Sequence, residues 1–215
     1  FSDKYVCSSI TNKTWHTFKN HRWETDKGMT LRLAISKDMY NLYTKKRVDT
    51  EAEYQHYDSN DERLEHLKKK VKAISEIMIN LKKTNDKNNV MREAMELFYD
   101  KDFVKNMDTN KYLLCFNNGV IDFSTKTFRD GYPQDYITKS TGINYIEYNP
   151  QNSEMSKIGN EITSFMEKLF PIENLNRYMW DHLASCLIGT NPNQTFNIYC
   201  GSGSNGKSIL TDLMS

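Results

Sequence analysis

Eight consecutive residues, 201–208, have the pattern of a loop that binds phosphate groups. They read Gly-Ser-Gly-Ser-Asn-Gly-Lys-Ser and match G-x-x-x-x-G-K-S/T at every fixed position. Glycines allow successive backbone N–H groups to converge on the α- and β-phosphates of a nucleotide, and the start of a helix adds positive potential there. The residues predicted to bind the phosphates are Gly201, Ser202, Gly203, Ser204, Asn205, Gly206, Lys207 and Ser208.

Two of these residues have side chains with a chemical role of their own. Lys207 is the candidate catalytic residue because it can reach the β- and γ-phosphates, and the Ser208 hydroxyl is the candidate ligand of Mg²⁺. The alternative is a glycine-rich turn with a solvated lysine. The flanks favour the phosphate loop, since 195–200 is a short β-rich run and 209–214 can open a helix. The sequence therefore predicts ATP and Mg²⁺ as cofactors.

An ATPase needs more than this loop. A second strand must end in an acidic residue that holds Mg²⁺ through water, and an arginine usually comes from a neighbouring subunit. Only seven residues follow Ser208, and the upstream Gly119-Val-Ile-Asp122 is preceded by Asn-Asn, which is typical of a hairpin turn. We therefore expect a piece of a longer ATPase, which does not hydrolyse ATP by itself and in which the helix after Lys207 lacks a sheet to pack on.

Composition limits the class of protein. The 215 residues suit one sizeable domain and part of another, and 38% hydrophobic residues are enough for a core. No apolar run approaches the length of a membrane span, no signal-peptide pattern is present, and the four cysteines form no C-x-x-C pair. We therefore expect an intracellular protein with no membrane partner.

The net charge of +1 gives no information on nucleic acid, but the charge is unevenly distributed. Residues 49–65 carry seven acids against one arginine, and a lysine-rich stretch follows. Two interpretations of this stretch stay open, a surface that contacts the DNA backbone and an ordinary solvated helix face, of which the second is favoured. The candidate DNA-binding residues are Lys68, Lys69, Lys70 and Lys72.

The residues before the loop predict a mixed module of helices and strands. Residues 15–23 are rich in aromatics and predict a strand, and apolar spacing predicts a helix over 36–46. Apolar steps of three and four predict a helix over 64–81, which a turn at 84–89 joins to a second helix at 89–99 as an antiparallel hairpin.

A hairpin and two more helices complete the prediction. Asn117-Asn-Gly119 predicts a β-hairpin turn, and 124–128 can extend the sheet. Apolar residues predict one helix over 155–169 and a second that starts at Pro171. The predicted fold is an α+β front module with helical hairpins and a small antiparallel sheet (1–149), a helical lead-in (150–192) and the first strand, loop and helix of a truncated α/β P-loop ATPase (193–215).

Several of these segments together resemble a known family. Residues 114–123, Leu-Cys-Phe-Asn-Asn-Gly-Val-Ile-Asp-Phe, and 133–142, Pro-Gln-Asp-Tyr-Ile-Thr-Lys-Ser-Thr-Gly, resemble the segment before the motor of viral and phage primase–helicases. The pattern Trp15-x-x-Phe18-x-x-His21-x-Trp23 resembles the start of that module. The helical pair and the loop 201–208 resemble the entry to a superfamily 3 helicase, as in the poxvirus-type helicase–primases of large DNA viruses.

The resemblance implies functions that the patterns alone do not. Such proteins form hexameric rings, hydrolyse ATP at subunit interfaces and unwind duplex DNA while moving along one strand. The implied partners are DNA, further copies of the same chain and replication proteins, in the host cytoplasm or a viral replication factory. Trp15, Phe18 and Trp23 are candidates for stacking on bases, although packing within a sheet is favoured. A second class of function is a non-catalytic assembly or DNA-handover module with the loop as a stub.

Overall fold

The computed structural model describes residues 1, 3–57, 61–191, 194–201, 203 and 206–214. The chain divides into two compact units, Phe1–Met107 and Asp108–Ser215. The functional boundary predicted after residue 149 lies inside the second unit and stays a prediction. Both units mix helices with antiparallel strands, so the α+β class predicted for the front module is confirmed.

The first unit begins with an antiparallel sheet of three strands in the order β1-β2-β3. These are β1 (Tyr5–Ser9), β2 (Thr14–Lys19) and β3 (Arg22–Asp26). The single strand predicted for 15–23 is wrong, because the chain reverses at Asn20 and His21. Both residues have positive φ, 51° and 65°, as a two-residue hairpin turn of type I′ requires.

Helices follow the sheet. They are α1 (Met29–Ala34), a π-helical turn (Ile35–Met39), α2 (Tyr40–Ala52), a 3₁₀ turn (Glu53–His56), α3 (Glu62–Asn80), α4 (Thr84–Leu97) and α5 (Phe103–Asn106). The helix predicted for 36–46 is part of a longer helical segment, and α3 is confirmed. The turn predicted at 84–89 is wrong, since α4 starts at Thr84 with Asp86 favourably placed in its first turn.

The helical hairpin of this unit is formed by α2 and α3. The Lys82 ammonium, just after α3, lies 4.0 Å from the centre of the Tyr40 ring at the start of α2, and it donates to the Ser36 carbonyl at 2.7 Å. The two helices therefore run antiparallel along each other. The sequence placed α3 in a hairpin with α4 because local spacing does not reveal which helix is the neighbour.

The sheet of the first unit is covered on both faces. One core joins β1 and β2 to α1 and α4, with the buried residues Tyr5, Cys7, Trp15, Leu31, Ala34, Ile35, Leu81 and Ala94. On the opposite face the Phe103 ring of α5 packs on His16 and Trp23, at centroid distances of 4.9 and 5.0 Å. Successive side chains of a strand point to opposite faces of the sheet, so packing on both faces buries both sets of side chains.

The second unit begins with another three-stranded antiparallel sheet. Its strands are β4 (Leu113–Phe116), β5 (Gly119–Asp122) and β6 (Thr127–Arg129). Phe116 pairs with Gly119 across the two-residue turn Asn117–Asn118, so the predicted hairpin is confirmed, as is its extension by a third strand. Cys115, Val120 and Ile137 form a small core on this sheet.

The helices of the second unit form a separate core. α6 (Ser153–Leu169) and α7 (Glu173–Ser185) confirm the two helices predicted there, and α8 (Lys207–Met214) follows the glycine-rich loop. Asn152 caps α6 by accepting from the N–H groups of Glu154 and Met155, both at 3.1 Å. The buried residues of this core are Met166, Met179, Leu183 and Leu210.

Candidate phosphate-binding site

A helix follows the glycine-rich loop, as the sequence predicts over 209–214, and it begins two residues earlier, at Lys207. Lys207 and Ser208 occupy the first turn of α8, and the Leu210 N–H donates to the Gly206 carbonyl at 3.0 Å. Gly203 and Gly206 have backbone φ angles of 90° and 80°, which residues other than glycine rarely adopt. These two glycines are therefore needed for the path of the backbone into the helix.

Packing holds the start of α8 in place. Leu210 is 2% exposed and lies in the core with Met166, Met179 and Leu183. Gly206 lies so close to α6 that an added Cβ would be 3.1 Å from Cδ1 of Leu169. The sequence predicted that this helix has no sheet to pack on, and the surface on which it packs is formed by the helices α6 and α7.

The strand predicted before the loop is wrong. Residues 194–200 have no strand pairing in the described part of the chain, where the strands of this unit are β4–β6. An isolated strand leaves its N–H and C=O groups without partners, so a β-rich sequence forms a strand only beside another. Phe196 and Ile198, two of its apolar residues, are 84% and 72% exposed.

One contact attaches this segment to α7. The Tyr199 hydroxyl lies 2.7 Å from Nε2 of His182, and the His182 ring stacks on Tyr178 with an angle of 4° between the ring planes. Desolvation by burial, together with Cys186 and Tyr178, raises the pKa of Tyr199 above its ordinary value. Tyr199 therefore stays a neutral hydroxyl that can share a hydrogen bond with His182.

Lys207 borders a cavity of about 350 Å³ between the loop segment and the helices. The lysine is half-buried, and the other walls include Phe170, Tyr178, Met179 and Cys200. This volume lies within the range of small-molecule pockets, and its walls are mainly apolar with one cation. The arrangement suits a ligand that has both an apolar part and a negatively charged part.

The other predicted phosphate ligands are only partly described. Ser202, Ser204 and Asn205 lie outside the described residues, Gly201 and Gly203 are exposed, and Ser208 is exposed in the first turn of α8. In the described part of the chain, no group of three His, Cys, Asp or Glu residues could hold a metal ion. Binding of ATP and of Mg²⁺ by Ser208 therefore stays a prediction.

The residues that the structure does describe fit a nucleotide phosphate. Gly203 and Gly206 have the positive φ that glycine-rich phosphate loops use, and Lys207 and Ser208 lie in the first turn of α8, where backbone N–H groups can bind an anion. The cation of Lys207 stands beside them.

The lysine-rich stretch lies on the outside of α3. Lys68, Lys69, Lys70 and Lys72 are all exposed, and the Lys68 ammonium forms an ion pair with Glu65 at 2.8 Å. This geometry is what a solvated helix face shows. Contact between these lysines and DNA stays a prediction.

The aromatic residues considered for base stacking have a structural role. Trp15 and Trp23 are 2% and 3% exposed, and Phe18 packs against Trp23 with a centroid distance of 5.4 Å. A base cannot reach a ring that is covered on both faces. The favoured interpretation, packing within the sheet, is therefore confirmed.

The comparison with known proteins identifies the family. The profile described as "D5 N terminal like" matches residues 1–171, so the chain belongs to that family. This confirms the resemblance to the primase–helicases of large DNA viruses.

The individual relatives come from large DNA viruses. The chain is 36% identical over 213 residues to a predicted helicase of Acanthamoeba polyphaga mimivirus. The aligned region covers 98% of the chain and 21% of that relative. A predicted helicase of Invertebrate iridescent virus 3 is 32% identical over 144 residues, 67% of the chain and 15% of the relative. A predicted primase of African swine fever virus is 25% identical over 153 residues, 70% of the chain and 16% of the relative.

The chain therefore spans about a fifth of the mimivirus relative's length. No helix in the described ranges has the length and apolar character needed to cross a membrane.

Proposed function

We propose that this chain is part of an ATP-dependent DNA helicase or primase–helicase that acts in viral DNA replication. The observation that carries the proposal is the start of α8, where the positive φ of Gly206 leads directly into Lys207 and Ser208. The names of the mimivirus and iridescent virus relatives as predicted helicases support it.

The proposed roles follow from position. Residues 201–206 would hold the phosphates through their backbone N–H groups, Lys207 would neutralise the developing charge on the transferred phosphoryl group, and Ser208 would bind Mg²⁺. ATP supplies the phosphoryl group and the free energy for movement along DNA. Hexameric assembly, which places each nucleotide between two subunits, is part of the same proposal.

The exposed apolar residues near the loop support a larger motor. Phe196, Ile198 and Ile209 are 84%, 72% and 60% exposed. Large apolar side chains that are this exposed on both sides of the loop are what a surface covered by another part of a protein would present. In the proposal, 195–200 becomes a strand when the sheet of the complete motor lies beside it.

A second function is favoured by the extent of the family match. The profile covers residues 1–171 and does not include the loop. A non-catalytic role of this region in ring assembly or DNA handover is therefore the alternative.

The test of the nucleotide site is Lys207→Ala in a protein that contains this chain and the complete motor. We expect a loss of ATPase activity of about 10²-fold or more, because a charge that stabilises the transition state is removed. The matched control is Lys139→Ala, an exposed lysine of the same unit, which should leave turnover unchanged. Near-normal ATP turnover by Lys207→Ala would exclude the assignment.

A further inference from the structure

We propose that the first unit contains a cleft that binds the phosphate backbone of single-stranded DNA through Lys13, Lys27, Arg32 and Arg92. We call it the basic cleft. It rests on the proposed function, since that function makes DNA the polyanion that this surface meets. It differs from the lysine-rich stretch of α3, which the sequence had suggested.

The basic cleft lies where several parts of the fold meet. Lys13 is in the turn between β1 and β2, Lys27 is in the connection from β3 to α1, Arg32 is on α1, and Arg92 is on α4. All four line one cavity of about 420 Å³. Arg92 is distant in sequence from the other three, so the packing of α1 and α4 on the sheet is what completes the group.

The charges in the cleft are of one sign. The lining includes four cations and no carboxylate among the described residues. Within the described ranges none of the four cations forms an ion pair, whereas Lys68, Lys105 and Arg129 do. Unneutralised cations that converge on a concave surface concentrate positive potential, which attracts a polyanion.

Hydrogen bonds fix parts of this surface. Nη1 of Arg32 donates to Oδ1 of Asn88 at 2.8 Å, which ties α1 to α4 across the cavity. The nearby Asp26 accepts from the N–H groups of Met29 and Thr30 at 2.9 and 3.0 Å. The carboxylate of Asp26 therefore serves to start the helix, and the guanidinium of Arg32 is held in place beside the cavity.

The floor of the cleft favours contact with the DNA backbone over contact with the bases. Trp15 lies under Gly28, where an added Cβ would be 3.0 Å from Cδ1 of the indole, and it is only 2% exposed. A buried indole cannot stack on a base, and contacts between cations and phosphates carry no sequence information. Met29, Met91 and Met95 line the walls with flexible apolar chains that can adapt to sugars.

The size of the cleft favours binding of single-stranded DNA over binding of a duplex. A cavity of about 420 Å³ is comparable to a small-ligand pocket and admits a sugar and its phosphates, but not a whole duplex. We therefore expect weak binding by each chain, with no sequence preference, which becomes strong when several copies bind one strand.

The test is fluorescence anisotropy of a labelled oligothymidylate with the 215-residue chain, titrated over a range of salt concentrations. In single strands each phosphate contact contributes about 0.7 to the slope of log affinity against log salt. The double variant Lys27→Gln/Arg92→Gln should therefore reduce the slope by about 1.4 and the affinity by on the order of tenfold at low salt. Lys13→Gln/Lys27→Gln changes only exposed turn residues and should reduce the slope equally.

The matched control removes the same charge elsewhere. Lys45→Gln/Lys46→Gln changes two exposed lysines on α2 outside the cleft and should keep the wild-type slope and affinity. Unchanged binding by both cleft variants, an equal loss in the control, tighter binding of duplex than of single strand, or no binding of oligothymidylate by the wild type would each overturn the proposal. The nucleotide-site test on Lys207 is independent of all these outcomes, so the two proposals fail separately.

Discussion

Asp26 is the residue that connects β3 to the helical segment of the first unit. Desolvation by burial acts to raise the pKa of Asp26, but hydrogen bonds from Thr30, Met29 and Gly28 outweigh it and hold the pKa below the ordinary value of 3.8. The folded state therefore stabilises the ionised carboxylate. This is how an acidic residue supports the exposed N–H groups at the start of a helix.

We expect Asp26→Ala to reduce the free energy of unfolding by about 1 kcal/mol at neutral pH, the typical value of a lost helix cap. Because the folded pKa is lowered, this contribution is complete above the unfolded pKa near 3.8 and is lost as the pH falls through the folded value. Urea denaturation of both proteins at several pH values measures the difference. Asp26→Asn, which keeps a hydrogen-bond acceptor, is the control and should lose less. A difference that grows as the pH falls below 3.8 would contradict this account.

The pair Asn117 and Asn118 explains the hairpin at the residue scale. Asn118 donates to the Tyr145 carbonyl at 2.9 Å and accepts from the Tyr145 N–H at 2.8 Å, and Asn117 donates to the Gly142 carbonyl at 2.6 Å. The two amides thus attach the 141–145 segment to the hairpin. The asparagines that carry the family resemblance therefore have a structural role.

At the scale of elements, the attachment of α8 to α6 depends on Gly206. Its φ of 80° and its closeness to Leu169 both disfavour a larger residue. Gly142 has a similar φ of 77° but no atom within 4 Å of an added Cβ among the described residues. A comparison of the two glycines therefore distinguishes the cost of the backbone conformation, which they share, from the cost of steric crowding, which only Gly206 has.

We expect Gly206→Ala to destabilise the second unit more than Gly142→Ala does. The left-handed conformation costs each alanine about 1 kcal/mol, and only Gly206→Ala must also displace the Leu169 side chain. Urea denaturation followed by circular dichroism measures both variants. Equal losses of stability would show that α8 does not pack against α6 in solution.

At the scale of the whole chain, backbone hydrogen bonding is unevenly distributed. β2 is bonded to a strand on each side, and Cys7 of β1 also exchanges bonds with Phe98 and Asp100, at 2.9 and 3.0 Å. The described residues 194–200 belong to no sheet. Local stability should follow this difference.

We expect the amides of β2 to exchange with deuterium slowest and those of 194–200 to exchange fastest, as measured by mass spectrometry on the 215-residue chain. The physical reason is that a paired strand must open before its N–H groups exchange. The exposed helix α3 provides an intermediate reference. Protection of 194–200 equal to that of β2 would show that this segment is a strand in the isolated chain.

Local patterns in the sequence were sufficient where neighbours along the chain decide the structure. The steps of three and four along α3, the Asn-Asn-Gly turn before β5 and the glycines before Lys207 each predicted what the structure shows. The phosphate loop is a prediction that sequence alone can make, because such a loop requires a fixed spacing of consecutive residues.

Tertiary packing decided the features that depend on distant residues. The choice of α2 as the partner of α3, the burial of Trp15 and the absence of a strand at 195–200 depend on which surfaces meet. The basic cleft is of the same kind, since Lys13, Lys27, Arg32 and Arg92 form no sequence motif. Sequence periodicity specifies how one element is built, whereas charge convergence and strand pairing require a partner that only the folded chain supplies.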